Sequence, residues 1–276
     1  MTSSQPMPEN HLPRRTFIGA VASLGVVVMT GTATAAAPAT TVDRAVGVAR
    51  LGETIHILGR NSRGWVRLGL DGAAQPTRGL GLAEINGMTA TKDVLVAVGA
   101  EGATPTAWES TDGVTWRRTL RLTRVDGHLT AVGANGGDVL ATGAELTLER
   151  APHRRIVVLR SGNRWSTVAT DGLTATDELT ATAVGASGAG WVMSTVDANG
   201  SVLSRSADGR VWTVGEQHTG TAVKAFDDGS WVANAMADPG GVTGPRRAGA
   251  PEGQAVGLID GLSFWLVDGS IVTATV

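Results

Sequence analysis

From about residue 44 to its end, the chain is built of short runs in which apolar and polar residues alternate, each closed by Gly, Asp or Asn. The stretches "MTATKDVLVAVGA" from Met88, "LTAVGANGGDVLATGA" from Leu129, "ATAVGASGAGWVMSTV" from Ala181 and "TAVKAFDDGSWVANAM" from Thr221 share one plan. Alternation with period 2 between turn residues marks half-buried antiparallel strands. Each stretch predicts two strands joined by a tight turn. After a variable loop a third strand follows ("TAWES", "RIVVLR", "SVLSRS", "QAVGLI"). Composition sharpens this to an all-β chain: 38 glycines and abundant Thr, Val and Ala stand beside scarce Lys, Glu and Gln.

The pattern repeats. "NSRGW" ends at Trp65, "STDGVTW" at Trp116, "SGNRW" at Trp165 and "SADGRVW" at Trp212, and "DGLSF" puts Phe264 in a fifth such place. The intervals of 51, 49, 47 and 52 residues signal repeated supersecondary units. With the aromatic turn joining a third strand to a fourth, each unit is a four-stranded blade. Five units predict a five-bladed β-propeller over residues 40–276 as a single domain. A β-sandwich would give no reason for five matching turns, and an open solenoid would need capping elements. Before Trp65 there is room for two strands only, at about 44–51 and 54–60. "SIVTATV" at 270–276 is left over. The C-terminal strand is therefore expected to complete the first blade, which closes the ring and removes two exposed edges.

The motif S-x-D-G-x-T-W resembles the Asp box, or BNR repeat, of sialidase-like β-propellers. Ser110, Asp112, Gly113, Thr115 and Trp116 match well, and Ser206, Asp208, Gly209 and Trp212 fairly; the turns at Trp65 and Trp165 lack the Asp. These residue types read as structural. An aspartate accepts bonds from the N–H groups of its own turn, glycine permits a left-handed backbone, and tryptophan fills the space between sheets. A turn between third and fourth strands is expected on the rim opposite the longer loops. The resemblance implies architecture without the sialidase reaction: the chain has no tyrosine, so the covalent tyrosine mechanism is excluded.

The first 39 residues read as an export signal. Arg14-Arg15 precede an apolar run from Phe17 to about Met29, and small residues ending in A-x-A patterns follow. "RRTFI" resembles the twin-arginine motif, although Pro13 stands where Ser or Thr is usual. The run is short for a membrane span, so cleavage would leave a secreted or extracytoplasmic protein with no span. The absence of cysteine removes disulfides, thiol nucleophiles and lipoprotein anchoring, and suits export in the folded state. Without Glu9, Arg14 and Arg15 the chain carries 21 cations and 24 anions, which offers no basic field for nucleic acid.

Catalytic and metal signals are weak. His56, His128, His153 and His218 have no ligand spacing and are expected to cap loops or face solvent, so neither a metal nor a cofactor is called for. Among the acids on the loop-bearing face, Glu84, Glu101, Asp126 and Glu145 read as solvated charges rather than a catalytic pair. The most individual segment, "DPGGVTGPRRAGAPEG" at 238–253, carries Arg246, Arg247 and Glu252, and "ELTLERAPHRR" carries Arg150 and Arg154. With Arg78 they form the candidate ligand rim, since arginine forks hold carboxylate or phosphate. The expected function is a monomeric, non-catalytic binding or scaffold module for glycan, cell-wall material or another protein. The alternatives are a glycoside hydrolase with a carboxylate pair and a protein–protein interaction platform.

Overall fold

Short antiparallel strands joined by glycine-bearing turns can bury only one sheet face against another, and here successive sheets stack side by side around an axis. The computed structural model describes residues 41–146, 155–169, 180–187, 190–197, 200–218, 223–225, 231–233, 254–259 and 262–275. The architecture is a five-bladed β-propeller. Its first blade holds β1 (Arg44–Leu51), β2 (Thr54–Asn61), β3 (Gly64–Leu68) and β4 (Ala74–Pro76). The second holds β5 (Glu84–Ala90), β6 (Leu95–Glu101), β7 (Thr104–Ser110) and β8 (Arg117–Arg121). The third holds β9 (Gly127–Asn135), β10 (Asp138–Glu145), β11 (Arg155–Ser161) and β12 (Arg164–Thr167). The fourth holds β13 (Thr180–Ser187), β14 (Gly190–Asp197), β15 (Gly200–Ser206) and β16 (Thr213–His218). The last sector is divided into two sheets. One pairs β17 (Val223–Ala225) with β18 (Trp231–Ala233); the other orders β19 (Gln254–Ile259), β20 (Leu262–Val267) and β21 (Ser270–Thr275).

The innermost strands pack against one another in sequence, β1 on β5, β5 on β9, β9 on β13 and β13 on β17, with β19 returning to β1. Five of them, β1, β5, β9, β13 and β19, share a device. At Val46, Asn86, Thr130, Thr182 and Val256 the register slips by one residue, a β-bulge that bends the strand locally. The next position is always Gly or Ala. A Cβ on Gly47 would stand 2.9 Å from that of Met88, and one on Gly257 would stand 2.3 Å from Val48 Cγ1. Small residues let neighbouring backbones meet there.

Between sheets lie the cores. Trp65, Trp108 and Trp116 fill the space between the first two blades with Leu58, Ile85 and Leu95. Val96, Leu129, Val139 and Val158 join the second to the third, and Leu140, Met193, Trp191 and Trp212 the third to the fourth. Each tryptophan brings roughly 150–250 Å². At about 25 cal/mol per Å², its burial contributes on the order of 4–6 kcal/mol before entropy is counted.

Three expectations from the sequence are corrected. First, the C-terminal strand does not complete the first blade: β21 pairs with β20 in full register. Asp268 and Gly269 both have positive φ (48° and 76°), the geometry of a two-residue hairpin turn, so the chain folds straight back. The first blade needs no donor, because the turn after Leu68 brings β4 in as its fourth strand. Second, the Trp65 turn joins β2 to β3, so it belongs to a different strand pair from the other tryptophan turns despite the 51-residue interval. Third, "QAVGLI" is the first strand of its sheet and takes an innermost position against β1, rather than serving as a third strand. The ring therefore closes by packing. Val42, Ala45 and Ile57 bury against Val256, Phe264 and Leu266; Val42 N–H donates to the Gly269 carbonyl (3.0 Å), and the Gln254 amide donates to the Ala45 carbonyl (3.2 Å).

Candidate functional site

At the start of each bulged inner strand the register places one polar residue. Arg44 stands opposite Arg60, Glu84 opposite Ala100, His128 opposite Ala144, Thr180 opposite Val196 and Gln254 opposite Leu266, all one step before the slip begins. Each lies at the inner-strand end that receives the incoming chain, so the five register positions ring one mouth of the axis. Hydrogen bonds link neighbours around part of this ring. Gln254 reaches Ala45 O; Arg44 Nη2 donates to Asn86 Oδ1 at 3.1 Å; Asn86 Nδ2 donates to Leu129 O at 2.8 Å. Arg44, Asn86 and His128 are half-buried and Glu84 is exposed. Beside the carboxylate of Glu84 and the imidazole of His128, the guanidinium and the two amides are held by these bonds, a partly pre-organised set for a polar ligand.

The serine–aspartate turns are a second local feature. Ser110 Oγ–H donates to Asp112 Oδ1 (2.9 Å) and accepts from Gly113 N–H (2.9 Å). Asp112 Oδ1 also accepts from Val114 N–H (2.8 Å) and Thr115 N–H (2.7 Å), and Trp116 Nε1–H donates to Gly113 O (3.1 Å). The turn at 206–212 repeats this: Ser206 on Asp208 (3.1 Å), Arg210 and Val211 N–H on Asp208 Oδ1 (2.8 and 3.0 Å), and Trp212 on Gly209 O (3.3 Å). Gly113 and Gly209 sit at φ 72° and 75°, where a Cβ is strained. Burial opposes ionisation of Asp112, but the bonds from Thr115, Val114 and Ser110 outweigh it and bring its pKa to about 2. The N–H groups of Arg210 and Val211 likewise lower Asp208.

What lies under the two turns differs. Gly113 faces His56 of β2, and a Cβ there would be 2.5 Å from His56 Nδ1. His56 is 5% exposed, so it neither caps a loop nor faces solvent. Burial first, and the Arg67 guanidinium second, push its pKa below the usual imidazole value, against the opposing pull of Asp112. Gly209 instead faces Leu140 and Trp191.

Of the residues the sequence singled out for ligand binding, Arg150, Arg154, Arg246, Arg247 and Glu252 lie outside the described residues, as does the leader with Arg14 and Arg15. Arg78 is exposed, and its backbone bridges to the neighbouring turn: its N–H donates to Val114 O (2.8 Å) and its carbonyl accepts from Trp116 N–H (2.9 Å). The connection between blades therefore touches the serine–aspartate turn, contrary to the expected separation of the two. The short outer strand β4 runs on past Pro76 and hands the chain across to the next blade before it turns inward. Glu101 is occupied by Arg118 and Arg121. The residues that sequence reasoning missed at the mouth are Arg44, Asn86 and Gln254. Their one signal is the recurring polar–apolar–x–small pattern ("RAVG", "EING", "HLTA", "TATA", "QAVG").

No family model matches the chain, and no curated protein matches it. Solved structures of other β-propellers do. A gluconolactonase-like protein aligns at 15% identity over 85% of this chain and 89% of its own, with a TM-score of 0.57. YCF48, solved with a D1 peptide bound, aligns at 19% identity over 73% of this chain and 66% of its own, with a TM-score of 0.48. A GH32 β-fructofuranosidase of Bombyx mori aligns at 11% identity over 85% and 62%, with a TM-score of 0.44. At such identities the likeness is one of fold.

Proposed function

We propose that the protein is an exported β-propeller of the Asp-box type that works as a non-catalytic binding module, taking a polar cell-wall glycan or related ligand at the axial mouth. The observation that carries this reading is the hydrogen-bonded arc of Arg44, Asn86 and Gln254, whose side chains are already held before any ligand arrives. Two matching serine–aspartate turns support the Asp-box assignment. Arg14-Arg15, the apolar run after them and the absence of cysteine support export. A glycosidase would need a carboxyl held protonated near neutral pH. Among the described residues, the two carboxylates with displaced titration, Asp112 and Asp208, move the other way, and Glu109 is committed to Arg160.

The test is a screen of the exported protein against peptidoglycan fragments and a glycan array, repeated with Arg44→Ala. Saturable binding that weakens about tenfold in the variant, for one lost charge-assisted bond, is the expected result. Binding indifferent to Arg44 would remove the mouth from consideration. Export is tested separately: Arg14→Lys with Arg15→Lys should retain the protein in the cytoplasm.

A further inference from the structure

The chain holds three Asn–Gly pairs, at 86–87, 135–136 and 199–200, and the last lies outside the described residues. The dipeptide is reactive because a glycine carries no side chain to hinder its nitrogen from reaching the preceding amide. The fold treats the two described pairs in opposite ways. Asn86 stands in the bulge of β5 with both ends of its amide held: Oδ1 accepts from Arg44 Nη2 (3.1 Å) and Nδ2 donates to Leu129 O (2.8 Å). Gly87 is buried in the same strand opposite Val98, and a Cβ on it would stand 3.3 Å from Val132 Cγ1. To cyclise, this pair would have to break both bonds and leave the ladder.

Asn135 ends β9 at the far end of that strand from the mouth. Gly136 and Gly137 form the two-residue turn into β10, which sets Asn135 opposite Asp138. Gly136 is exposed at φ 60°, and a Cβ on it would meet nothing within 4 Å. Its N–H donates to no backbone carbonyl among the described residues. Arg160 Nη1 anchors the other side of the turn by donating to Gly137 O (3.5 Å). The Asn135 amide is held through Nδ2 alone among the described residues, by a long bond to Gly190 O of the fourth blade (3.4 Å).

We propose that Asn135 is a self-modification site, which deamidates in the folded protein while Asn86 is protected. The Gly136 nitrogen attacks Asn135 Cγ. A C–N bond closes a five-membered succinimide, and the side-chain nitrogen leaves as ammonia, taking the Gly136 proton. Water then adds to either ring carbonyl and opens it to aspartate or its β-linked isomer. The consequence falls on the seam between the third and fourth blades. A carboxylate replaces the donor to Gly190 O and stands directly opposite Asp138, a like-charge cross-strand pair. Arg160 does not offset it, since its guanidinium is engaged by Glu109 at 2.8 Å. The β-linked isomer also lengthens the backbone of a turn whose length fixes the register. The axial mouth plays no part, and the inference stands without the reading proposed above.

The test is tryptic peptide mapping of the full chain after incubation in mildly alkaline buffer, both folded and in urea. Cleavage after Lys and Arg puts each pair in its own peptide, 79–92, 125–150 and 165–205. In the folded protein the 125–150 peptide should gain the mass of an amide-to-acid exchange, with a β-linked isomer resolved beside it. It should do so at least about tenfold faster than 79–92, because the bonds holding the Asn86 amide must first break. In urea the two should convert at similar rates. Asn135→Gln should leave its peptide unchanged, because glutamine would need a six-membered ring. Equal rates for the two peptides in the folded protein, or a 125–150 peptide that stays unmodified while the urea sample converts, overturns the proposal. Asn135→Asp should melt below the native chain at neutral pH, and an unchanged Tm overturns the loosening of the seam.

Discussion

At residues 110–116 and 206–212 the backbone forms the same set of hydrogen bonds around one aspartate, yet the two turns stand in different company. The first is pinned on every side. Its glycine lies on His56, its tryptophan carbonyl and N–H groups are bridged by or crowded against the segment from Arg78 to Gly79, and the preceding Glu109 is gripped by Arg160. The second has an apolar underside, Leu140 and Trp191, and borders a groove lined by Arg205, Val211 and Thr213. Local chemistry makes the turn in both. Only the neighbours decide whether it is buried structure or the wall of a groove.

The largest effect should come from the ion pair that separates the two faces. Arg160→Ala leaves Glu109 charged and buried, so a loss of about 3–5 kcal/mol in urea unfolding is expected. Arg205→Ala, at the matching place on an exposed face, should stay within about 0.5 kcal/mol. Equal losses would erase the distinction. Next come the glycines. Both sit in the left-handed region, so alanine costs about 1–2 kcal/mol at either. Gly113→Ala also forces a Cβ against the His56 ring 2.5 Å away, whereas Gly209→Ala meets the tip of Leu140 at 3.2 Å. The first substitution should therefore be worse by at least about 1 kcal/mol.

Acid should expose the aspartate. Its folded pKa of about 2 lies below the 3.8 of the free side chain, so its contribution is complete above pH 3.8 and disappears as pH falls through about 2. Asp112→Asn should flatten the acid limb of Tm against pH in that window, and Asp208→Asn should act in the same direction. The smallest effect belongs to His56. Its folded pKa is depressed, so the unfolded chain binds the proton more readily and stability declines as pH drops below 6.5. His56→Gln should abolish that slope; under the second turn Leu140 stands in the corresponding place.

Much of this was legible before folding. Alternation, glycine-rich turns and a period near fifty residues define the strands and their grouping, because side-chain alternation and turn conformation are set within a few residues. Ser110 and Asp112 belong to that class: each bonds within its own turn. The strand order at the two ends was not legible. Trp65 and Trp116 look alike in sequence, yet one follows a second strand and the other a third, because a two-residue hairpin can end with the same aromatic. Nor could the sequence show that "SIVTATV" would turn back on its own hairpin, since a strand with an open edge pairs with whichever neighbour reaches it first.

The amino-acid sequence alone determined that this chain makes repeated four-stranded units with self-bonded aspartate turns, and that it cannot use cysteine or tyrosine chemistry. Tertiary structure alone decided that packing at Gly257 and Val48 closes the ring, that Glu109 meets an arginine 51 residues away, and that Arg205 has no ion pair among the described residues. The reason is physical. Turns and alternation are satisfied by neighbours in the chain, whereas burial and charge pairing depend on which sheet is stacked beside which.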